Sequence, residues 1–371
     1  KISKTKMSNI KQNILLNPGP VNMSDRVKNR MIREDFCHRE KEFSALVKDV
    51  NSQIVKIYDG MKDYESVIIS SSGTGAVEGM LTSFIHDEKS LIISNGVYGE
   101  RMERILRVQN KKLEMIQFDW LDPINIKSIK NCLDSDQSIK NLILVHHETT
   151  TGRLNELKEV GQLCKDYDLG LYLDGVSSFG AEEIAANEIN LKAVSASANK
   201  CLHGAPGLAF VVAHKDQWER VPEKTSGVYF DLHQYYAMQK TDGFSPFTQA
   251  THLVSAFNEA MLEFNEMGGW KARNNLFRSR AEEINACLDR LGIETLIPKE
   301  DYSSVLRSYQ LPEGISYEDL HAFMKKNGFV IYQGQGSFKK NIFRISTMGH
   351  IKESDITLLC SLFEEFFKNH D

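Results

Sequence analysis

Paired cysteines, long apolar runs and an excess of one charge are all missing from this sequence. The six cysteines are scattered without a CxxC pair, which argues against a zinc site or a disulfide framework and favours a reducing, cytoplasmic setting. No apolar stretch is long enough for a membrane span or a secretion signal. The 45 basic and 50 acidic residues are well mixed and give a net charge of −5, so neither nucleic acid nor a membrane surface is an expected partner.

The length of 371 residues and the apolar content of 41% are enough for a substantial core and for two domains. The chain opens at Lys1, and its first methionine is Met7. This beginning leaves two interpretations open: the first six residues are an added remnant, or the chain is part of a longer polypeptide.

Short apolar runs alternate with amphipathic helices over the first two thirds of the chain. The predicted strands are 66–70, 90–94, 113–118, 141–146, 169–174 and 207–213, and the predicted helices are 42–58, 76–84 and 154–167. This alternation predicts an α/β fold with a mostly parallel sheet that is covered by helices on both faces. Ligands of such sheets bind at the carboxyl ends of the strands.

The pattern changes after Thr248. Longer helices are predicted at 250–267 and 271–291, followed by strands near 329–333 and 343–346 and a closing helix at 353–368. These elements predict a second, smaller α/β domain.

Ser72, Gly73 and Thr74 follow the strand at 66–70 and precede the helix that begins near Ala76. Backbone N–H groups at a helix N-terminus bind anions, and glycine permits close approach, so the loop is a candidate phosphate site. Taken alone, it fits an ordinary strand-to-helix turn equally well. It lacks the GKS or GKT ending of a Walker loop and the GxGxxG spacing of a dinucleotide fold, so a dehydrogenase is not expected.

Asp174 ends a very apolar strand, and Lys200 follows 26 residues later among small residues. A carboxylate in that position needs a cationic partner, although an isolated DG pair is more often a turn or a helix cap. Partial burial of Lys200 would lower the pKa of its amine towards the nucleophilic range. One ligand joins these features: pyridoxal phosphate (PLP), with its phosphate on Ser72–Thr74, its ring nitrogen on Asp174 and its aldehyde carbon on Lys200.

A series of motifs along the chain resembles the class V aminotransferases, which are PLP-dependent enzymes of fold type I. The motifs, in order, are LNPGP (16–20), SSGTGA, NGVYGER, HHETTTG, YLDGVSSFG, SANKCLHGAPG, PFTQATHLV and FRISTMGH. Within the class they are most similar to the transaminases of 2-aminoethylphosphonate and pyruvate. That resemblance implies a ping-pong transfer of the amino group that yields phosphonoacetaldehyde and L-alanine. It also implies an N-terminal segment (1–30) that contributes to the active site and the small domain, a large PLP-binding domain (31–270) and a small C-terminal domain (271–371).

The resemblance implies roles for the residues that match the family motifs. Lys200 would form the Schiff base and move the proton, and Asp174 would keep the pyridine nitrogen protonated. Tyr98 would stack on the ring, and Thr149 or Thr150 would bond its phenolic oxygen. Ser72, Gly73, Thr74 and Asn199 would hold the phosphate, Val176 would contact the cofactor, and Thr248 would reach the phosphate from the neighbouring subunit of a homodimer.

On the substrate side, the resemblance implies that Arg344 grips the keto acid carboxylate, a task that suits a bidentate guanidinium. Without the family, Arg344 is better interpreted as a strand arginine paired with a nearby acid. The loop with Asn17 and Asn22 and the segment with His38 and Arg39 match substrate-side elements.

Several positions depart from the family pattern, so other substrates and reactions stay possible alternatives. Gln249–Ala250 replaces a proline pair, FRISTMGH replaces the common FRIGNIGH, and His147 stands at the second position of HCETT. The alternatives are a transaminase of alanine or serine with glyoxylate and, more distantly, a class V lyase. A cysteine desulfurase typically has histidine before the lysine, where this chain has Asn199. A binding protein that has kept the fold without PLP is a further alternative.

Overall fold

The structure, a computed structural model, describes residues 13–32, 35–222 and 227–369. The first twelve residues of the predicted N-terminal segment therefore lie outside the described residues. The strands are β1 (Ile14–Leu15), β2 (Tyr64–Ile69), β3 (Lys89–Ser94), β4 (Leu113–Gln117), β5 (Ile139–Val145), β6 (His147–Glu148), β7 (Arg153–Leu154), β8 (Gly170–Asp174), β9 (Leu191–Ser197), β10 (Ala209–His214), β11 (Leu306–Gln310), β12 (Phe329–Val330), β13 (Tyr332–Gln333) and β14 (Ile342–Ser346).

The α-helices lie mainly between these strands. They are α1 (Asp25–Arg30), α2 (Lys41–Val55), α3 (Gly73–Phe84), α4 (Val97–Val108), α5 (Ile126–Ser135), α6 (Leu157–Asp166), α7 (Lys215–Glu219), α8 (Leu232–Thr241), α9 (Thr251–Glu266), α10 (Gly269–Arg290), α11 (Tyr317–Lys326) and α12 (Glu353–Lys368). No helix within the described ranges combines the length and the apolar character that crossing a bilayer requires.

A seven-stranded sheet in the order β2-β10-β9-β8-β5-β3-β4 forms the centre of the molecule. Its strands run parallel except β10, which is antiparallel to both of its neighbours. The prediction of a mostly parallel sheet is thus confirmed. Val145 pairs with Asp174, and Asp174 pairs with Ser195, so β5, β8 and β9 end side by side at one edge.

Two apolar clusters cover the two faces of this sheet. Along β8, Leu171 and Leu173 belong to one cluster and Tyr172 to the other, because successive side chains of a strand point to opposite faces. The first cluster includes residues of α2 and α9, and the second includes residues of α3 and α4. Burial on both faces explains why the strands are continuous apolar runs.

The C-terminal part has its own three-stranded sheet, β11-β14-β13, and a separate apolar cluster that joins residues of α10, α11 and α12. The prediction of a single strand over 329–333 is wrong in one respect. The run is divided at the buried Ile331: β12 pairs in parallel with β1, and β13 pairs with β14. Helix α10 runs unbroken through residue 270, and the domain boundaries at 30 and 270 stay a prediction.

Candidate active site

A cavity of about 210 Å³ lies at the carboxyl ends of the central strands. The predicted site residues that line it are Ser72, Gly73, Thr74, Tyr98, Thr149, Asp174, Val176, Asn199 and Lys200. A wider cleft of about 1170 Å³ lies elsewhere and is lined by none of the predicted site residues, all of which the structure describes. The smaller cavity is therefore the candidate active site, because it gathers residues from widely separated motifs.

One end of the cavity is built to hold an anion. Ser72 is the N-cap of α3, and its side chain accepts a hydrogen bond from Gly75 N at 3.4 Å. A Cβ on Gly73 would lie 2.6 Å from Val176 Cγ1, so only glycine allows the helix to begin so close to the β8 loop. Arg101 Nη1 donates to Thr74 Oγ1 at 3.1 Å and adds a cation beside the helix N-terminus.

Asp174 lies at the end of β8 and is only 6% exposed. Burial raises the pKa of this carboxyl to about 6, against the opposing effects of the Val176 N–H, Arg101 and Lys200. The Val176 N–H donates to Asp174 Oδ1 at 2.9 Å. The group is thus an anion at neutral pH, and a buried anion is stabilised by a cationic partner such as a protonated pyridine nitrogen.

Lys200 follows β9 and extends into the same cavity. Burial lowers the pKa of its amine to about 8, although Cys201 and Asp174 act in the opposite direction. The amine donates a hydrogen bond to the carbonyl oxygen of Pro18. A Cβ on Gly19, whose φ is +111°, would lie 2.6 Å from Lys200 Cδ, so the LNPGP loop needs glycine to pack against the lysine.

The two candidate threonines differ in what their hydroxyl groups contact. Thr150 donates to Glu148 Oε1 at 2.6 Å and accepts a hydrogen bond from Val97 N at 3.1 Å. Thr149 Oγ1 is buried and has no hydrogen-bond partner within the described part of the chain. Thr149, which lines the cavity, is therefore the better candidate for a ligand oxygen.

Arg344 lies in β14 and is fully buried. Its Nε donates to Gln333 O at 2.8 Å, and its Nη1 donates to Thr149 O at 2.6 Å. Its Nη2 is buried and finds no acceptor among the residues that the structure describes. Arg344 contacts the cavity lining through Thr149, and the two N–H donors of its Nη2 have no acceptor among the described residues.

The other predicted substrate residues lie outside the cavity. Asn22 Oδ1 accepts from Leu15 N at 2.6 Å, and its Nδ2 donates to Asn13 O at 2.9 Å. Asn17 Nδ2 donates to Pro20 O at 3.0 Å. These amides hold the N-terminal loop in shape, and their direct contact with substrate stays a prediction.

The predicted partner-side threonine and the CHRE segment are also outside the cavity of this chain. Thr248 is exposed, and its predicted contact with a second subunit stays a prediction. Arg39 is exposed and donates to Pro246 O at 3.3 Å, while His38 is half-buried.

Arg101 and Ser197 line the cavity but were not predicted from the sequence, and His147, another lining residue, was predicted only as a departure from the family motif. Arg101 lies one helical turn after Tyr98, and its guanidinium is 4.6 Å from the centre of that ring, so the helical spacing in NGVYGER could have revealed it. Ser197 Oγ is buried without a partner in the described part of the chain. His147 contacts Ser177 O through Nδ1 at 2.9 Å and Ser303 Oγ through Nε2 at 2.8 Å.

The residues present fit PLP. The buried Ser197 and Thr149 hydroxyls are unpartnered among the described residues, the glycine at position 73 leaves room at the helix N-terminus, and Asp174 and Lys200 have opposite charges at one cavity. The fold and this site define a PLP-dependent enzyme of fold type I.

The comparisons with known proteins give the family. The model of the aminotransferase class-V family matches residues 22–359. The chain belongs to this family of PLP-dependent aminotransferases.

A 2-aminoethylphosphonate–pyruvate transaminase of Syntrophobacter fumaroxidans is 35% identical over 92% of this chain and 93% of its own length. A bifunctional phosphonoacetaldehyde hydrolase/aminoethylphosphonate transaminase of Clostridioides difficile is 34% identical over 95% of this chain, but the chain spans only 56% of that relative. Among solved structures, an aspartate aminotransferase of subgroup IV from Thermus thermophilus has a TM-score of 0.87 at 24% identity over 96% of this chain and 99% of its own, a likeness of fold alone.

Proposed function

We propose that the protein moves the amino group of 2-aminoethylphosphonate to pyruvate and thereby produces phosphonoacetaldehyde and L-alanine. The observation that carries this proposal is the meeting of Lys200, Asp174 and the Ser72–Thr74 anion site in one cavity. The proposed substrates are those in the names of relatives that are 33–35% identical over nearly the whole chain.

Different residues of the cavity would hold different parts of the cofactor. Ser72, Gly73 and Thr74, with Arg101 beside them, would bind the phosphate, and Asp174 would pair with the ring nitrogen. Lys200 would hold the cofactor covalently. When bound, PLP supplies an electron sink that stabilises negative charge on the substrate carbon.

Lys200 is also the group that moves the proton. With a pKa of about 8, its amine is neutral in a useful fraction near neutral pH. It would remove the proton from the amino-bearing carbon of the donor and, in the second half, deliver a proton to the keto carbon of pyruvate. Phosphonate and carboxylate are both anionic, so the Nη2 of Arg344 would orient either substrate.

The proposal includes a homodimer with a shared site. Thr248 is exposed in the single chain and does not line its cavity, as expected of a residue that serves the neighbouring subunit. Sedimentation equilibrium of the wild-type chain tests the dimer. A monomer that is fully active would refute the shared site.

The test of the reaction is a panel of amine donors and keto acids. 2-Aminoethylphosphonate and serine would each be offered with pyruvate and with glyoxylate, alanine would be offered with glyoxylate, and the amino acid product would be measured. The proposal predicts the highest kcat/KM for 2-aminoethylphosphonate with pyruvate, together with the parallel double-reciprocal lines of a ping-pong reaction. Preference for serine or alanine with glyoxylate, or intersecting lines, would refute it, and a Lys200→Ala protein controls for background transfer.

A further inference from the structure

Glu148 is a fully buried carboxylate between His147 and Thr149, which both line the cavity. Its Oε1 accepts hydrogen bonds from Thr150 Oγ1 at 2.6 Å and from Thr150 N at 3.1 Å. Its Oε2 accepts a hydrogen bond from Tyr98 N at 3.2 Å. Both oxygens of the carboxylate are therefore committed to groups around the start of α4.

The N-terminus of α4 depends on these contacts because its N-cap residue is glycine. Gly96 has no side chain that could accept from the first N–H groups of the helix. Thr150 Oγ1 accepts from Val97 N at 3.1 Å, and Glu148 accepts from Tyr98 N, so both groups are capped from another part of the chain. A Cβ at position 96 would collide with the Glu148 carboxyl group, which explains the glycine.

Tyr98 in the first turn of α4 and Arg101 one turn later both line the cavity. Tyr98 is the predicted stacking residue, and Arg101 contacts both the Tyr98 ring and the Thr74 hydroxyl. A shift of the N-terminal end of α4 would move the Tyr98 ring and the Arg101 guanidinium together.

We infer that Glu148 is a positioning residue, which acts through Thr150 and the backbone of α4 to hold Tyr98 and Arg101 against the bound cofactor. The inference rests on the proposed PLP site but not on the identity of the amine donor. Burial, together with the nearby Asp174 carboxylate, raises the pKa of Glu148 to about 7, and the three hydrogen-bond donors oppose that shift because they stabilise the ionised carboxylate.

Glu182 provides a matched control for a purely structural role. It is 2% exposed, and its carboxylate accepts from Ser304 N at 2.6 Å, from Ser304 Oγ at 2.7 Å and from Asn274 Nδ2 at 3.1 Å. It therefore resembles Glu148 in burial and in its number of donors, but those donors belong to Ser304 and Asn274 and none of them to α4.

The experiment compares Glu148→Gln with Glu182→Gln in the PLP-loaded protein. In Glu148→Gln one oxygen becomes an NH₂ group, which faces either Tyr98 N–H or the Thr150 donors and repels them. We expect the PLP dissociation constant, measured by equilibrium dialysis, to rise about tenfold, which corresponds to about 1.4 kcal/mol. The visible circular dichroism of the bound cofactor should weaken, because Tyr98 is no longer held in one position against its ring. Glu182→Gln should keep the wild-type dissociation constant and spectrum.

Substitutions at Thr150 test the same contact without touching the carboxylate. Thr150→Val removes the hydroxyl that links Val97 N to Glu148 and should reproduce the weakened dichroism, whereas Thr150→Ser should restore it. If Glu148→Gln does not fold, this pair carries the test alone.

The inference is refuted if Glu148→Gln and Thr150→Val keep the wild-type dissociation constant and dichroism and differ only in thermal stability. Neither readout depends on the amine substrate. A wrong donor in the proposed function would leave both readouts unchanged, so the two failures can be told apart.

Discussion

The pKa of the Lys200 amine can be tested directly on the protein without cofactor. Burial lowers this pKa from 10.5 to about 8. At pH 8 about half of such amines are neutral, against about 1 in 300 for an ordinary lysine, so the nucleophilic fraction is about 150-fold larger. Because a lowered pKa makes the neutral form dominant above pH 8, the rate of carbonyl capture should rise through pH 8 and level off above it.

The assay follows the absorbance of the imine that forms when the cofactor-free protein is mixed with pyridoxal. Pyridoxal is preferred to its phosphate because it carries no phosphate group, whose second pKa of about 6 would add another titration to the pH profile. The Lys200→Ala protein should show no fast phase, which assigns the signal to this side chain. A midpoint near the ordinary lysine value would mean that the amine is fully hydrated, and it would refute the argument from burial.

Three further substitutions test the cavity. Asp174→Asn keeps the shape but removes the anion that faces the ring nitrogen, so kcat should fall at least about thirtyfold in steady-state assays, and a change below threefold would contradict the pairing. Arg344→Lys loses the planar fork, so KM for pyruvate should rise about tenfold with a smaller change in kcat; an unchanged KM would exclude the contact. His147→Cys removes the contacts to Ser177 and Ser303, so the free energy of unfolding, from urea titration, should fall by about 1–3 kcal/mol while PLP affinity stays within about twofold; tenfold weaker PLP binding would give His147 a role in the site.

His147 lines the cavity, and its two hydrogen-bond partners indicate that its imidazole is neutral. Ser177 O can only accept, so Nδ1 carries the proton, and Nε2 accepts from the Ser303 hydroxyl. Burial lowers the pKa of this imidazole to about 4, consistent with that neutral form. The histidine that departs from the family motif therefore fills the place of the usual cysteine and adds no charge to the cavity.

The central sheet could be predicted from the sequence because its signals are local. A continuous apolar run such as 169–174 predicts a strand that is buried on both faces of a parallel sheet. The structure has such a strand, β8, at Gly170–Asp174. Asp174 and Lys200 could be predicted to meet because parallel strands end at the same edge. The division of 329–333 could not, because β12 pairs with Ile14 and Leu15, more than 300 residues earlier in the chain.

Contacts between side chains of different motifs could not be predicted from the sequence either. The hydrogen bond from Arg101 to Thr74 joins the N-terminal ends of α4 and α3, and no periodic pattern in the sequence indicates it. Gly96 illustrates the difficulty further. In the sequence it is one glycine in a turn, and only the position of Glu148 shows that a side chain there would displace a cap.

The charges of the cavity are arranged for a ligand that carries both signs. The α3 N-terminus and Arg101 provide positive potential at one end, and the buried Asp174 carboxylate provides a negative charge elsewhere in the same cavity. Lys200 must be neutral to react, and burial together with the nearby Arg344 and Arg101 favours that form, whereas Cys201 and Asp174 oppose it. A phosphate and a ring cation bound at the two ends would neutralise Arg101 and Asp174. The effects of Arg101 and Asp174 on the amine would then both be weakened, which leaves burial as the largest influence on its reactivity.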